Sequence, residues 1–268
     1  RDKTVLPFRV DYVNTFRVRD GIDNREVEGI DTDSAYMNPA HISSVVSYIL
    51  EHFDHKTKRH ASYQLRDQRV TGFNSMFATS SIKAARAYYL EFQRQQADLP
   101  PARRRSVGII YSYAPNADAP GTGLLAEESM DPSALSQDDR AFLDDAIADY
   151  NQQFGTNFGT DASGFEHYYE HLSRALTEKR IDLVIVVDMF LTGFDSKSLN
   201  TLWVDKNLRA HGLIQAFSRT NRILNSVKTY GNIVCFRNLE QATEDAIALF
   251  GNKEARGQVL LRPYGEYL

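Results

Sequence analysis

The sequence predicts a doubly wound α/β fold, and three observations carry that expectation. Strand-like and helix-like segments alternate over residues 70–250. The run Ile181-Asp182-Leu183-Val184-Ile185-Val186-Val187 is almost continuously apolar and β-branched, the mark of a central parallel strand buried on both faces. Two further β-rich runs, at 201–204 and 232–236, are each followed by a helical pattern, about 210–218 and 239–249. Alternation of this kind builds an open parallel sheet covered by crossover helices.

The elements follow in order. Residues 5–19 alternate apolar and polar side chains with a period of two, which reads as strands and allows a hairpin. Residues 20–37 are acidic and contain glycine, and read as a loop. Asn38-Pro39 sets an N-cap and a first-turn proline. Ile42, Val45, Val46, Ile49, Leu50 and Phe53 then fall on one helical stripe. A polar run at 55–69 closes this unit, so residues 1–69 are set apart as an N-terminal extension with strands and one helix. Residues 73–78 predict a strand, after which Ser80 or Ser81 caps a helix carrying Ile82, Ala85, Tyr89 and Phe92. Residues 107–113 predict another strand, and 114–137, rich in Pro, Gly, Ala, Ser and Asp, a mobile insertion. Ser136 with Asp139 resembles a capping box ahead of Leu143, Ala146, Ile147 and Tyr150. Ser163 with Glu166 starts a further helix, carrying Leu172, Ala175 and Leu176. Residues 251–268 read as a linker, and no internal repeat is evident.

With 268 residues, 42% hydrophobic and 25% charged, the chain has the size and composition of a globular domain with an extension. It opens Arg1-Asp2-Lys3-Thr4 without methionine or signal pattern, and is expected to be a piece of something longer. One cysteine, Cys235, excludes an internal disulfide and suits a reducing cytoplasm. The net charge of -4 lacks the positive excess that phosphate neutralisation gives a stand-alone DNA binder, so any nucleic-acid contact is expected from a local surface.

Two groups of residues can carry chemistry. The loop Asp188-Met189-Phe190-Leu191-Thr192-Gly193-Phe194-Asp195 follows the strongest strand, where open sheets bind ligands. Gly193 allows close backbone approach to a phosphate, and Asp195 can orient a ribose, a water or an arginine; a simple turn is the alternative. Gln215, Arg219 and Arg222 stand at i, i+4 and i+7, so on a helix they project from nearly one face. Two guanidiniums and an amide there can fork onto the terminal oxygens of a triphosphate, or can simply be a solvated edge.

These motifs resemble a known family. Asp188, Gly193 and Asp195 match motif V of superfamily 2 helicases, and Gln215, Arg219 and Arg222 match motif VI. More closely, the 188–195 loop, Leu-Trp-Val-Asp-Lys at 202–206, His-Gly-Leu-Ile-Gln-Ala at 211–216 and Arg-Thr-Asn-Arg at 219–222 are similar to the restriction (motor) subunits of type I restriction-modification enzymes. Residues 73–81 with 84–89 resemble that family's motif IV region, and Val10-Asp11-Tyr12 with the 48–53 helix its lobe connection. The resemblance implies a RecA-like second helicase lobe. In it Arg219 and Arg222 would be arginine fingers for ATP, Gln215 would hold the helix against the nucleotide, and Gly193 with Asp195 would couple nucleotide to DNA. Ser80 and Ser81 would meet a DNA phosphate, though a plain N-cap is an equal reading. Val187 stands where many members have a phosphate-binding Thr, and Thr192 could substitute. ATP and Mg²⁺ would be held mainly by a first lobe outside this chain. The implied partners are double-stranded DNA, modification and specificity subunits, and a first helicase lobe and nuclease domain in the same polypeptide.

The sequence contains no Gly-Lys-Ser/Thr, no Asp-Glu pair ending a strand and no evident nuclease core. Taken by itself it is therefore expected neither to hydrolyse ATP nor to cut DNA. Two other patterns compete. His167-Tyr168-Tyr169-Glu170-His171 has the spacing of an inverted zinc-peptidase motif, against which stands an amphipathic helix with surface histidines. Arg103-Arg104-Arg105 with Lys56, Lys58, Arg59 and His60 would suit a DNA- or protein-docking module, or a solvated basic surface. His52, Asp54 and His55 cluster at a helix end and are assigned no function.

Overall fold

The computed structural model describes residues 7–14, 35–111, 135–224, 226–250 and 260–261. Seven strands form one sheet: β1 (Phe8–Tyr12), β4 (Asn74–Thr79), β5 (Val107–Ile110), β6 (Leu183–Val186), β7 (Leu199–Asp205), β8 (Gly231–Cys235) and β9 (Leu260–Leu261). Their spatial order is β5-β6-β4-β7-β8-β1-β9, and every pairing is parallel. All residues of β4, β6, β7 and β8 are buried, as expected of strands covered on both faces. The middle of the sheet is β7; β6, expected at the centre, is interior but one place from the edge.

Among the described residues six α-helices cover it: α1 (Pro39–Lys56), α2 (Ile82–Gln96), α3 (Gln137–Phe154), α4 (Ala162–Thr177), α5 (Ala210–Phe217) and α6 (Glu240–Phe250). Helices α1 and α2 pack together, as do α5 and α6. The first pair carries the chain one way along the sheet and the second pair the other way. Right-handed crossovers therefore put them on opposite faces, which is what doubly wound means. Asn38 caps α1 by accepting the Ala40 N–H at 2.9 Å, with Pro39 in its first turn. At the other end the Lys56 carbonyl accepts from Asn200, Thr201 and Asn232, which ties α1 to the starts of β7 and β8. No helix among the described residues is long and apolar enough to cross a membrane.

Several expectations are corrected. The segment set apart as an extension contributes β1, which lies between β8 and β9, and α1, whose Ile42, Val45, Val46, Ile49 and Phe53 join the main core. The suggested hairpin over 5–19 falls partly outside the described residues; within them β1 has only parallel neighbours. The polar run at 55–69 contains half of an antiparallel hairpin, β2 (Ser62–Leu65) with β3 (Gln68–Thr71). Its inward residues Tyr63 and Leu65 pack on Phe73, Leu224 and Val227 as a second small core. Helix α4 starts two residues earlier than Ser163 and Glu166 suggested: Asp161 is its cap and accepts the Gly164 N–H at 3.0 Å. Ser136 does cap α3, accepting from Asp139 N–H at 3.1 Å. Within the supposed C-terminal linker, β9 pairs with Phe8 and Arg9. The insertion expected at 114–137 lies outside the described residues up to position 134.

Candidate functional site

In this sheet the crossover direction reverses between the neighbouring strands β4 and β7, so the crevice of the fold opens at their carboxyl ends. Thr79, Ser80 and Ser81 end β4 there. Thr79 Oγ1 donates to the Val186 carbonyl at 3.0 Å, and Ser81 Oγ accepts the Ala84 N–H at 3.1 Å as the cap of α2. Of the two candidate serines, Ser81 is thus the cap, while Ser80 is exposed. Lys206 follows β7, and its Nζ donates to the Val187 carbonyl at 3.1 Å and to Asp188 at 2.7 Å.

Beneath the crevice lies an ionic network that sequence reasoning missed. Asp205 accepts from Arg237 Nε at 2.6 Å and from the Tyr88 hydroxyl at 2.7 Å, with His41 Nε2 at 3.7 Å. The Arg237 guanidinium also lies 3.3 Å from the centre of the Tyr36 ring. Burial by itself would raise the Asp205 carboxyl, but His41, Arg237 and Tyr88 outweigh it and hold the group below the usual carboxylate range. The available signal was a charged residue directly after each of two apolar strands, Asp205-Lys206 and Arg237, whose pairing needs the strand order to be known.

The second locus joins the 188–195 loop to the segment after α5. Buried Met189, Phe190, Leu191 and Phe194 hold the loop down, and the Phe190 and Phe194 rings are 4.8 Å apart. Thr192 between them is half-buried. Gly193 has φ of 67°, and a Cβ there would meet nothing within 4 Å, so glycine serves the left-handed backbone and not a close approach.

Helix α5 stops at Phe217, which corrects the expectation that Gln215, Arg219 and Arg222 share a helical face. The Ser218 and Thr220 hydroxyls donate to the Ile214 and Phe217 carbonyls at 2.6 and 2.9 Å, alongside the N–H groups of the same two residues, which bond the same carbonyls at 2.9 and 3.1 Å. What brings the arginines to the loop is the turn itself. Arg219 Nη1 donates to the Phe194 carbonyl and its Nε to the Gln215 carbonyl at 3.1 Å. Arg222 Nε pairs with Asp195 Oδ1 at 2.9 Å, with side chains 43% and 58% exposed. A pair that open is worth about 0–1 kcal/mol, so an incoming anion can take the guanidinium at little cost. This junction is near the starts of β7 and β8, because Thr220 abuts Gly231 and Lys228 bonds the Leu199 carbonyl. It is therefore not at the carboxyl-end crevice where the sequence argument put the 188–195 loop as a whole. Phe194, Asp195, Arg219 and Arg222 meet here, with Gln215 joined through its carbonyl and Gly193 one residue before the Phe194 contact, whereas Ser80 and Ser81 belong to the other edge.

The competing patterns are largely absorbed by the fold. His171 Nδ1 lies 2.8 Å from the Tyr150 hydroxyl, with its ring against Phe154 and Phe158, while His167 is exposed. Among the described residues no three metal-ligating groups converge. Of the basic set, Lys56 pairs with Asp11, Arg59 with Asp182 and Arg105 with Asp54 at 2.8 Å. Arg104 donates to the Leu99 and Ala97 carbonyls at 2.8 and 2.7 Å, and Lys58 to the Val227 carbonyl at 2.7 Å. Arg103 and His60 are exposed. His52, left without a function, stacks on Tyr48 at 3.9 Å.

Comparison with known proteins gives a consistent result. A family model described as domain 3 of the type I restriction enzyme subunit R matches residues 71–238. Over 270 aligned residues, 99% of the chain, it is 37% identical to the endonuclease subunit of a type I restriction enzyme from Staphylococcus aureus (strain MRSA252). It is 38% identical over the same length to the corresponding subunit from Staphylococcus saprophyticus. The chain spans about a quarter of these relatives, 26% and 27% of their lengths. A solved fragment of an HsdR subunit from Vibrio vulnificus YJ016 is similar at a TM-score of 0.46 and 11% identity, covering 94% of this chain and 34% of that one.

Proposed function

The chain belongs to the endonuclease (R) subunit family of type I restriction enzymes, and on that premise we propose that it is the second RecA-like lobe of an ATP-driven translocase of duplex DNA. The observation that carries this reading is the junction of two motifs. Arg219 is held to the Phe194 carbonyl and Arg222 to Asp195, both half-buried arginines at one end of a rigid sheet. A lobe so built offers guanidiniums to a nucleotide seated on another lobe.

The residues present fit the terminal phosphates of ATP and little else of it. Two forked cations suit phosphate oxygens, and the chain has no Gly-Lys-Ser/Thr with which to cradle them. ATP with Mg²⁺, held mainly by the first lobe, supplies the free energy of a phosphoryl transfer. Arg222 exchanges the Asp195 carboxylate for phosphate oxygens as the lobes close, and Arg219, anchored through Nε and Nη1, follows the loop. Asp195, released, reports nucleotide occupancy into the 188–195 loop, and through Asp188 to Lys206 at the crevice. Ser80 and Thr192 are the side chains of this chain assigned to DNA phosphates, with Ser81 contributing its helix N-terminus. Modification and specificity subunits, and a nuclease domain in the same polypeptide, complete the enzyme.

The test uses the full subunit assembled with its partners. Arg219→Ala and Arg222→Ala are each expected to lower DNA-dependent ATP turnover by about 10³-fold or more, the range of an arginine finger. The 268-residue chain alone is expected to give none. Undiminished turnover in both variants, or turnover by the chain alone, would sink the reading.

A further inference from the structure

Lys228 is 1% exposed, a burial that an ammonium reaches only with partners. It stands six residues beyond Arg222 and three before β8, and its Nζ donates to the Lys197 carbonyl at 3.0 Å and the Leu199 carbonyl at 2.7 Å. Those carbonyls belong to the segment that runs from Asp195 into β7. One side chain thus pins the segment after Arg222 to the segment after Asp195, on the side of the sheet where Thr220 abuts Gly231. Charge works alongside the geometry: Asp195 attracts the Lys228 ammonium and Arg222 repels it.

We propose that Lys228 is a positioning residue for Arg222, a buried cation that fixes the two segments in register and shares Asp195 with the guanidinium, so that Arg222 is both aimed and releasable. The inference rests on the motor-lobe reading above. The physical basis is that charge-assisted bonds to carbonyls are stiffer than neutral ones. A second cation at Asp195 also weakens the hold of the carboxylate on Arg222. Burial, with Arg222 adding to it and Asp195 opposing it, pulls the amine down to about 7. Two more lysines adjoin this segment: Lys58, whose ammonium donates to the Val227 carbonyl at 2.7 Å, and Lys197, whose carbonyl Lys228 bonds. Lys228 is therefore poised to lose its proton near neutrality, and with it the share of Asp195 that keeps Arg222 free.

The experiment is a double-mutant cycle in the full assembled subunit, reading kcat and KM for DNA-dependent ATP hydrolysis beside thermal melting. Lys228→Met is expected to lower kcat about 10- to 100-fold, the cost of misplacing a group by about an ångström, with KM nearly unchanged. In the Arg222→Ala background it is expected to change kcat by no more than about twofold, because the residue it aims is gone. Lys228→Arg, which keeps charge and donors, is expected to recover part of the loss. Equal loss in both backgrounds would mark Lys228 as a structural residue only and overturn the inference. If Arg222→Ala itself left turnover intact, the motor reading would fail instead, and the two failures are distinguishable. Should neither Lys228 variant fold, the unsubstituted subunit decides: kcat is expected to decline from pH 7 upward, and a flat profile to pH 9 overturns the proposal.

Discussion

Thr220 and Gly231 meet where the segment after α5 crosses the start of β8, and at this single contact the sequence tolerates no side chain. A Cβ on Gly231 would overlap the Thr220 hydroxyl and stand 3.0 Å from its Cβ. The φ of Gly231 is unexceptional, so the demand is for space and not for backbone freedom. Gly231→Ala is expected to destabilise the protein by about 1–3 kcal/mol in denaturant unfolding, as overpacking does. Adding Thr220→Ala should recover part of that loss, and an additive loss in the double variant would contradict the close contact. Thr220 sits between Arg219 and Arg222 in the chain, so the same contact helps to place both arginines.

At the scale of elements, helix α2 shows which of two adjacent serines is the cap and which is left at the surface. Ser81 spends its oxygen on the Ala84 N–H, whereas Ser80 is exposed beside it at the end of β4. Ser81→Ala is expected to cost about 1 kcal/mol of stability, the usual value of a side-chain cap. Ser80→Ala is expected to leave the melting temperature unchanged while weakening DNA binding by the full subunit. A stability loss confined to Ser80→Ala would reverse the two assignments. The β2–β3 hairpin is the other informative element. Tyr63, Leu65 and Phe73 close over Leu224 and Val227, so the hairpin braces the segment that carries Arg222 and Lys228.

For the whole molecule, the buried ion pairs decide how stability depends on pH. Asp182 accepts from Lys179 at 3.0 Å, from Arg59, and from the Ser106 N–H at 3.1 Å, so it ties the start of β6 to α1, α4 and β5. Burial alone would raise its carboxyl, but Lys179 and Arg59 prevail and hold it below its ordinary value. A carboxylate depressed in the folded state adds stability above its unfolded pKa, about 3.9, and that contribution is lost as pH falls through the folded value. Asp205 behaves likewise. The protein is therefore expected to lose stability steeply below about pH 4. Asp182→Asn should flatten part of that acid limb, and at neutral pH should cost about 3 kcal/mol by leaving the buried Lys179 ammonium, and beside it the part-exposed Arg59, without their counterion. An acid limb unchanged in the variant would show that Asp182 is not among its causes.

The division between sequence and tertiary structure follows the range of the forces. Local chemistry determined the alternating elements, the caps at Asn38 and Ser136, and the all-buried β6 and β7, because hydrophobic period and capping are properties of contiguous residues. Gly193, Asp195, Arg219 and Arg222 were also legible as a group, since motif spacing survives in one dimension. Only the folded chain decided that β1 enters the main sheet, because a five-residue strand does not announce its partner. Only the folded chain joined Arg237, Asp205, His41 and Tyr88. It alone put the arginines on a turn beyond α5, and it alone brought a buried lysine to the carbonyls that lead into β7. Those placements depend on burial and Coulomb interactions between residues far apart in the chain, and such energies exist only once the sheet has set the distances.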